Sequence, residues 1–153
     1  MKKPPSPKHS YHIIGILILA GETIFLLPFV LPRIFRHTYL DLFGVDNLQL
    51  GTCFSIYGLV ALVSYLLGGV IADRFQPRKL MSAALLFTAF GGVVMSSFPS
   101  LGMMNFIYGY WGFTTILLFW AAMIKATREW GGAGMQGRAF GFLDGGRGLV
   151  GAG

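Results

Sequence analysis

The sequence predicts an all-α transmembrane protein, built as a bundle of membrane-spanning helices. Hydrophobic residues make up 54% of the 153-residue chain and charged residues only 12%, which is about half the charged fraction of a typical soluble domain. The apolar stretches are long and nearly continuous, without the amphipathic periods of a soluble core. Basic residues gather in short clusters at the ends of these stretches, where membrane proteins carry their topological anchors.

The distribution of charge divides the chain into five predicted spans. Glu22 is the single formal charge between residues 11 and 32, and apolar residues continue past it, which favours an uncleaved span over a signal peptide. Residues 80–124 lack charge over about twice the length that one span needs, so we expect a turn at the Ser, Pro and Gly residues of 96–102. The predicted spans are residues 11–35, 47–72, 78–97, 102–124 and 139–153, the last cut off by the end of the sequence.

The connecting segments and their charges predict an orientation. Residues 1–10 are expected to form a disordered leader, and residues 33–46 and 125–138 polar connections. Most lysines and arginines fall on one side of the predicted spans, and only Arg33 and Arg36 on the other. The positive-inside rule therefore places the N-terminus in the cytoplasm and the turn at Pro99 outside a cytoplasmic (inner) membrane. Because the positive charge serves topology, nucleic acid is not an expected partner, and the lone Cys53 offers neither a disulfide nor a metal site.

The second predicted span ends in a recognisable motif. Residues 69–79 read GVIADRFQPRK and resemble the signature loop of the major facilitator superfamily, commonly G-x-L-A-D-R-x-G-R-[RK], with Gln76 and Pro77 departing from that pattern. The resemblance implies that Asp73 and Arg78 latch a cytoplasmic gate, with the rest of the motif around them: Gly69, Arg74 and Lys79. A solvated loop kept only for orientation is the simpler alternative, but orientation does not require Asp73, which the helix macrodipole disfavours at a C-terminus.

The resemblance also implies a fold and an activity. The chain would form helices 1–4 and the start of helix 5 of a twelve-helix bundle, so that its partners would be the lipid bilayer, a small solute and the missing C-terminal half. We expect a secondary transporter of an organic anion or sugar derivative, driven by proton symport or antiport, with no cofactor. A solute sensor of the same fold is the first alternative. A membrane enzyme is disfavoured because no nucleophile, base or metal cluster is visible.

Three charged residues within the spans are candidate site residues. Glu22 lies near the middle of the first span, where a carboxylate costs about 2.5 kcal/mol or more, so we expect proton coupling or substrate contact, with a neutral, hydrogen-bonded acid as the alternative. Pro28 should kink the same helix. Asp144 and Arg147 stand three residues apart and could neutralise each other along one helix face. Arg147 also suits bidentate binding of a carboxylate, sulfate or phosphate.

Residues 138–148 add a narrower resemblance. They are similar to the start of helix five in the organophosphate:phosphate antiporters, which carry Asn and His where Asp144 and Arg147 stand, the His position contacting substrate. The first span lacks the arginine with which those antiporters bind phosphate, so another organic anion fits as well. In the fourth span, Tyr108, Trp111 and Thr115 recur at helical spacing and could line the solute cavity, although packing explains such a stripe equally well.

Overall fold

The computed structural model describes residues 7–132 and 134–152, and all regular structure in these residues is helical. The predicted all-α transmembrane class is confirmed. The elements in chain order are α1 (Pro7–Phe25), a π-helical segment (Leu26–Val30), α2 (Leu31–Ile34), α3 (Arg36–Phe43), α4 (Asn47–Arg74), α5 (Pro77–Met95), α6 (Leu101–Gly112), a second π-helical segment (Phe113–Trp120), α7 (Ala121–Gly131) and α8 (Gln136–Ala152).

Four helical stretches within the described residues are long and apolar enough to cross a membrane. Span 1 is Tyr11–Ile34, span 2 is Asn47–Arg74, span 3 is Pro77–Met95 and span 4 is Leu101–Gly131. Span 1 contains α1 from Tyr11 onward, the first π-helical segment and α2, whereas span 4 joins α6, the second π-helical segment and α7. The fifth predicted span corresponds to α8, which has 17 residues and carries Asp144 and Arg147.

Several boundaries differ from those expected from charge alone. Residues 1–6 of the expected leader lie outside the described residues, and α1 already begins at Pro7. The stretch 33–46, expected to be a loop, contains α3, which ends at Gly44 in the left-handed conformation (φ 60°) that glycine adopts without strain. Span 4 continues to Gly131, past the expected end at 124, because Met123 and Thr127 still face the core although charged residues occupy the opposite face.

The helices pack in two core clusters that follow one another along the bundle. At one end, the cluster joins span 1, span 3, span 4 and α8; at the other end, it joins spans 2, 3 and 4. We call the end of the bundle that holds the first cluster the basic end, because α4 ends there at Arg74 and α5 begins beside Arg78 and Lys79. The opposite end carries α3 and the connection between α5 and α6.

Close contact between spans 2 and 4 depends on Gly112. A Cβ atom at this position would lie 2.6 Å from the Tyr57 carbonyl oxygen and 3.3 Å from the Ala61 nitrogen. Small residues are the usual means by which membrane helices approach each other so closely. On its outer side, span 2 exposes a continuous apolar surface, as expected for a helix facing lipid or other helices: Leu59, Leu62, Val63, Leu66, Leu67 and Val70.

Candidate functional site

Two of the charged candidate residues, Glu22 and Arg147, form an ion pair between α1 and α8. The Arg147 Nε atom of α8 lies 2.8 Å from the Glu22 Oε1 atom of α1, and the two side chains are 20% and 23% exposed. Within the described residues, Asp144 is exposed and makes no ion pair. The alternative account, in which Asp144 neutralises Arg147 along one helix face, is not what the described residues show, because Arg147 pairs with Glu22 instead. A pair within one helix is worth only about 0.2–0.5 kcal/mol, whereas Glu22, half-buried in a span, gains far more from a cationic partner.

Gly21 makes room for this ion pair. A Cβ atom on Gly21 would lie 3.2 Å from Arg147 Nε and 3.1 Å from the sulfur of Met123, both tight contacts, whereas one on Gly151 would be in ordinary contact with Glu22 Oε2 at 3.4 Å. The Arg147 side chain thus reaches Glu22 across a surface that bears no side chain at residue 21. Larger residues there would push the guanidinium away from the carboxylate.

The donors of Arg147 are only partly used. An arginine side chain has five N–H donors in a planar fork. Among the described residues, the hydrogen bond of Arg147 to protein runs through Nε to Glu22, and the Nη atoms have no acceptor. The guanidinium also lies near two aromatic rings, those of Phe25 and Trp120. A half-buried cation with unused, coplanar donors is a ready binding partner for an oxyanion.

An aromatic path leads from this pair toward the opposite end of the bundle. Phe25 contacts Phe29, whose ring stacks on Phe54 at a centroid distance of 5.5 Å and meets Tyr57 edge-on at 4.7 Å. Phe54 in turn contacts Tyr108. Phe25, Phe29 and Phe54 are partly exposed, so they form a surface beside the ion pair, contributed by spans 1 and 2. No periodic pattern in the sequence predicts this surface, because its members come from different helices.

The aromatic stripe predicted in span 4 lies inside the bundle. Tyr108, Trp111 and Thr115 are at most 1% exposed. The Trp111 indole donates to the Thr88 carbonyl oxygen at 3.0 Å, and the hydroxyls of Tyr57 and Thr115 share a 2.6 Å hydrogen bond. These contacts satisfy buried polar groups. Packing, the alternative that the pattern left open, accounts for all three residues.

One of these buried residues is tied to the connection between spans 1 and 2. The hydroxyl oxygens of Tyr39, in α3, and Tyr108 are 3.2 Å apart. Burial raises the pKa of the Tyr39 phenol above its ordinary value, so this hydroxyl remains protonated in its contact with Tyr108. The contact fixes α3 against the end of span 4.

The predicted gate residues form an exposed group at the basic end. Asp73, Arg74, Arg78 and Lys79 are exposed, and so is Gly69, whose added Cβ atom would meet nothing within 4 Å. The described residues contain no ion pair between Asp73 and Arg78. The expected latch is therefore not formed within this part of the chain, which leaves the Asp73 carboxylate available to another element.

Lys125 is a contact at the gate motif that sequence reasoning missed. Its Nζ atom donates to the Ala72 carbonyl oxygen at 2.7 Å and lies 3.4 Å from the Asp73 carbonyl oxygen. The last carbonyls of a helix lack intrahelical partners and carry the negative end of the macrodipole, so a lysine there is stabilising. The sequence predicted for Lys125 only a role as one of the positive charges that orient the chain in the membrane.

Comparisons with known proteins identify the family. The model of the Major Facilitator Superfamily matches residues 12–152. The chain belongs to this superfamily. It is 32% identical over 136 residues to the inner membrane protein YqcE of Escherichia coli (strain K12), covering 89% of this chain and 32% of YqcE. It is 31% identical over 143 residues to the inner membrane protein YihN of the same organism, covering 94% of this chain and 34% of YihN.

A third relative of this major facilitator chain is the uncharacterized protein MG294 homolog of Mycoplasma pneumoniae, 28% identical over 145 residues, covering 85% of this chain and 29% of the relative. The chain thus spans about a third of the length of the curated relatives it matches. No solved structure matches it significantly. In the part of the chain that the structure describes, no group of three His, Cys, Asp or Glu side chains could hold a metal ion.

Proposed function

We propose that the protein containing this chain is a multi-pass inner-membrane transporter that moves a small organic anion together with a proton. Membership of the Major Facilitator Superfamily and the names of the two Escherichia coli relatives support transport and location. The observation that carries the finer proposal is the ion pair between Glu22 and Arg147, which joins span 1 to α8. In this proposal Arg147 binds the anion and Glu22 binds the proton.

Charge balance links the two binding events. Between the charged ends of the described helices there are two carboxylates, Glu22 and Asp144, and one guanidinium, Arg147. An anion that bound Arg147 beside an ionised Glu22 would place two negative groups on one cation in a medium of low dielectric constant. Protonation of Glu22 removes this repulsion and releases Arg147 Nε. Anion binding is therefore accompanied by proton uptake.

The charges at the site also favour one class of anion over another. A phosphate ester carries more negative charge than a carboxylate at neutral pH and needs more cationic partners, whereas Arg147 is the single cation at the described site. We therefore propose a carboxylate, including sugar acids, over an organophosphate. Exchange of organophosphates, suggested by the similarity of residues 138–148 to that antiporter family, is the competing assignment.

The test is proton movement driven by an anion in liposomes. The full-length protein is reconstituted into vesicles loaded with a pH-sensitive dye, and D-gluconate, D-glucuronate or glycerol 3-phosphate is added outside at equal pH. We expect a carboxylate to acidify the interior. Glu22→Gln should abolish the acidification, and Arg147→Lys, which loses the bidentate fork, should weaken the apparent affinity about tenfold.

Matched variants control for charge changes elsewhere. Asp41→Asn and Arg138→Lys alter exposed residues far from the pair and should leave uptake unchanged. Acidification by Glu22→Gln at the wild-type rate would refute the coupling role. Binding of an anion to the detergent-solubilised protein without any flux would instead indicate a solute sensor of the same fold.

We also propose that the exposed motif at the basic end forms a cytoplasmic gate. Asp73 lacks an ion-pair partner among the described residues, and Lys125 holds the backbone at the end of span 2, so the helix end that carries the carboxylate is held in place. Asp73→Asn should slow transport while the protein still inserts normally. If Asp73→Asn transports at the wild-type rate, the loop serves only to set the orientation of the chain in the membrane.

The proposed orientation places the basic end in the cytoplasm, as the excess of Lys and Arg there favours. An epitope inserted at Gly132, which lies in the exposed connection between α7 and α8, should be labelled only after cells are permeabilised. Labelling of intact spheroplasts would reverse the orientation.

A further inference from the structure

The Arg147 guanidinium lies in a corner formed by two aromatic rings from different spans. Its Cζ atom is 5.3 Å from the ring centroid of Trp120 and 5.8 Å from that of Phe25. The two rings contact each other edge-on, with their centroids 6.3 Å apart. Phe25 belongs to span 1, Trp120 to span 4 and Arg147 to α8, so the cation lies where three helices meet.

The rings stabilise the cation in a way that a carboxylate cannot. The negative face of an aromatic ring attracts a guanidinium without accepting its N–H hydrogen bonds. In Arg147, Nε is hydrogen-bonded to Glu22, and the Nη donors have no acceptor among the described residues. The rings therefore hold the guanidinium while its outer donors remain available to a ligand.

This support matters most when Glu22 is neutral. In the proposed function, on which the following inference rests, Glu22 takes up a proton as the anion binds, and the ion pair with Arg147 is then lost. Contacts with Phe25 and Trp120 persist because neither ring titrates. We infer that Trp120 and Phe25 are positioning residues that keep the Arg147 guanidinium in place to bind the anion once Glu22 is protonated.

The helical register around both rings fits this role. Trp120 is the last residue of the π-helical segment in span 4, and Phe25 immediately precedes the π-helical segment in span 1. A π-helical turn accommodates an extra residue and rotates the residues beyond it relative to an uninterrupted α-helix. The direction in which each ring faces is thus set by a departure from regular helix, at the point where the guanidinium lies.

The inference is tested with leucine and phenylalanine variants of Trp120 in the full-length protein, using the same three anions. Trp120→Leu should raise KM about 5- to 30-fold, which corresponds to about 1–2 kcal/mol, and should leave kcat nearly unchanged. Trp120→Phe, which keeps a ring face, should recover most of this loss. Phe113→Leu, an exposed aromatic residue at the other end of the same segment, serves as the matched control and should change KM less than twofold.

A double-mutant cycle separates positioning from packing. If Trp120 acts through Arg147, Trp120→Leu should have no further effect on KM in an Arg147→Gln background. Equal losses in both backgrounds would overturn the inference, as would a Phe113→Leu variant as impaired as Trp120→Leu, or a phenylalanine variant no better than leucine.

The same cycle measured as thermal stability in detergent, without any anion, distinguishes failure of the inference from failure of the proposed function. A stabilising coupling between Trp120 and Arg147 is expected. If this coupling is absent, the inference is overturned. It is also overturned if the coupling is present but Trp120→Leu leaves KM unchanged. By contrast, if Glu22→Gln shows the same anion-driven proton uptake as the wild type, the proposed function is refuted, whatever the double-mutant cycle shows.

Discussion

Substitution of Gly112 by alanine tests the contact that joins spans 2 and 4. The added methyl group would lie 2.6 Å from the Tyr57 carbonyl oxygen, 3.3 Å from the Ala61 nitrogen and 3.3 Å from the Val60 Cβ atom. Two of these three atoms belong to the backbone, so no side-chain rotation can relieve the contact. The two helices must instead move apart by several tenths of an ångström or more.

The expected cost follows from this geometry. Overpacking of a close-packed interior typically costs about 1–3 kcal/mol, and here separation of the helices would also loosen the hydrogen bond between Tyr57 and Thr115, which is 2.6 Å long. Alanine is the better helix former by about 1 kcal/mol, but loss of this hydrogen bond, worth about 0.5–1.5 kcal/mol, roughly offsets that gain. We expect a net destabilisation of about 1–3 kcal/mol for Gly112→Ala.

The assay is thermal unfolding of the full-length protein in detergent, with Gly102→Ala as the control. A Cβ atom on Gly102, in the first turn of the same span, would meet nothing within 4 Å, so this variant should be at least as stable as the wild type. Equal melting temperatures for Gly112→Ala, Gly102→Ala and the wild type would refute the close packing of spans 2 and 4.

Three further substitutions address the ends of the helices and the ion pair. Lys125→Met should lower the melting temperature by removing the donor to the last carbonyls of α4, whereas exposed Arg128→Met should not; equal effects would contradict the capping role. Gly21→Ala should weaken anion binding measured by titration, because its Cβ atom would lie 3.2 Å from Arg147 Nε; unchanged affinity would contradict this. Asp46→Ala should lower the stability of the protein by about 1 kcal/mol and speed amide exchange at Gln49, because the Asp46 side chain accepts a hydrogen bond from the Gln49 N–H at the start of α4. Unaltered exchange would exclude this helix cap.

The sequence predicts the spans well because the bilayer acts on each helix separately. Length, apolar composition and the charges at the ends are properties of a single segment, and they locate the turn at residues 96–100 and the start of α4 at Asn47. Even so, α3 and the end of span 4 were missed. The charged residues there do not mark the end of the helix, since a helix of 31 residues is about 46 Å long, longer than a hydrocarbon core of about 30 Å.

The candidate site was only partly predictable, because its partners are distant in sequence. Glu22 and Arg147 were each singled out as charges within spans, but their pairing joins residues 125 positions apart. Local spacing favoured Asp144, the neighbour on the same helix. The aromatic corner depends on two π-helical segments, and only Pro28 in the first of them gave a signal, as a residue that disrupts regular α-helix.

The proposed role of the ion pair is tested most directly by counting protons during anion binding. The full-length protein in weakly buffered detergent solution is titrated with D-gluconate, D-glucuronate or glycerol 3-phosphate while pH is recorded. We predict that one proton is taken up for each carboxylate bound, and that Glu22→Gln binds the anion without proton uptake. Proton uptake by Glu22→Gln equal to that of the wild type, or anion binding to the wild type without any proton uptake, would contradict the account.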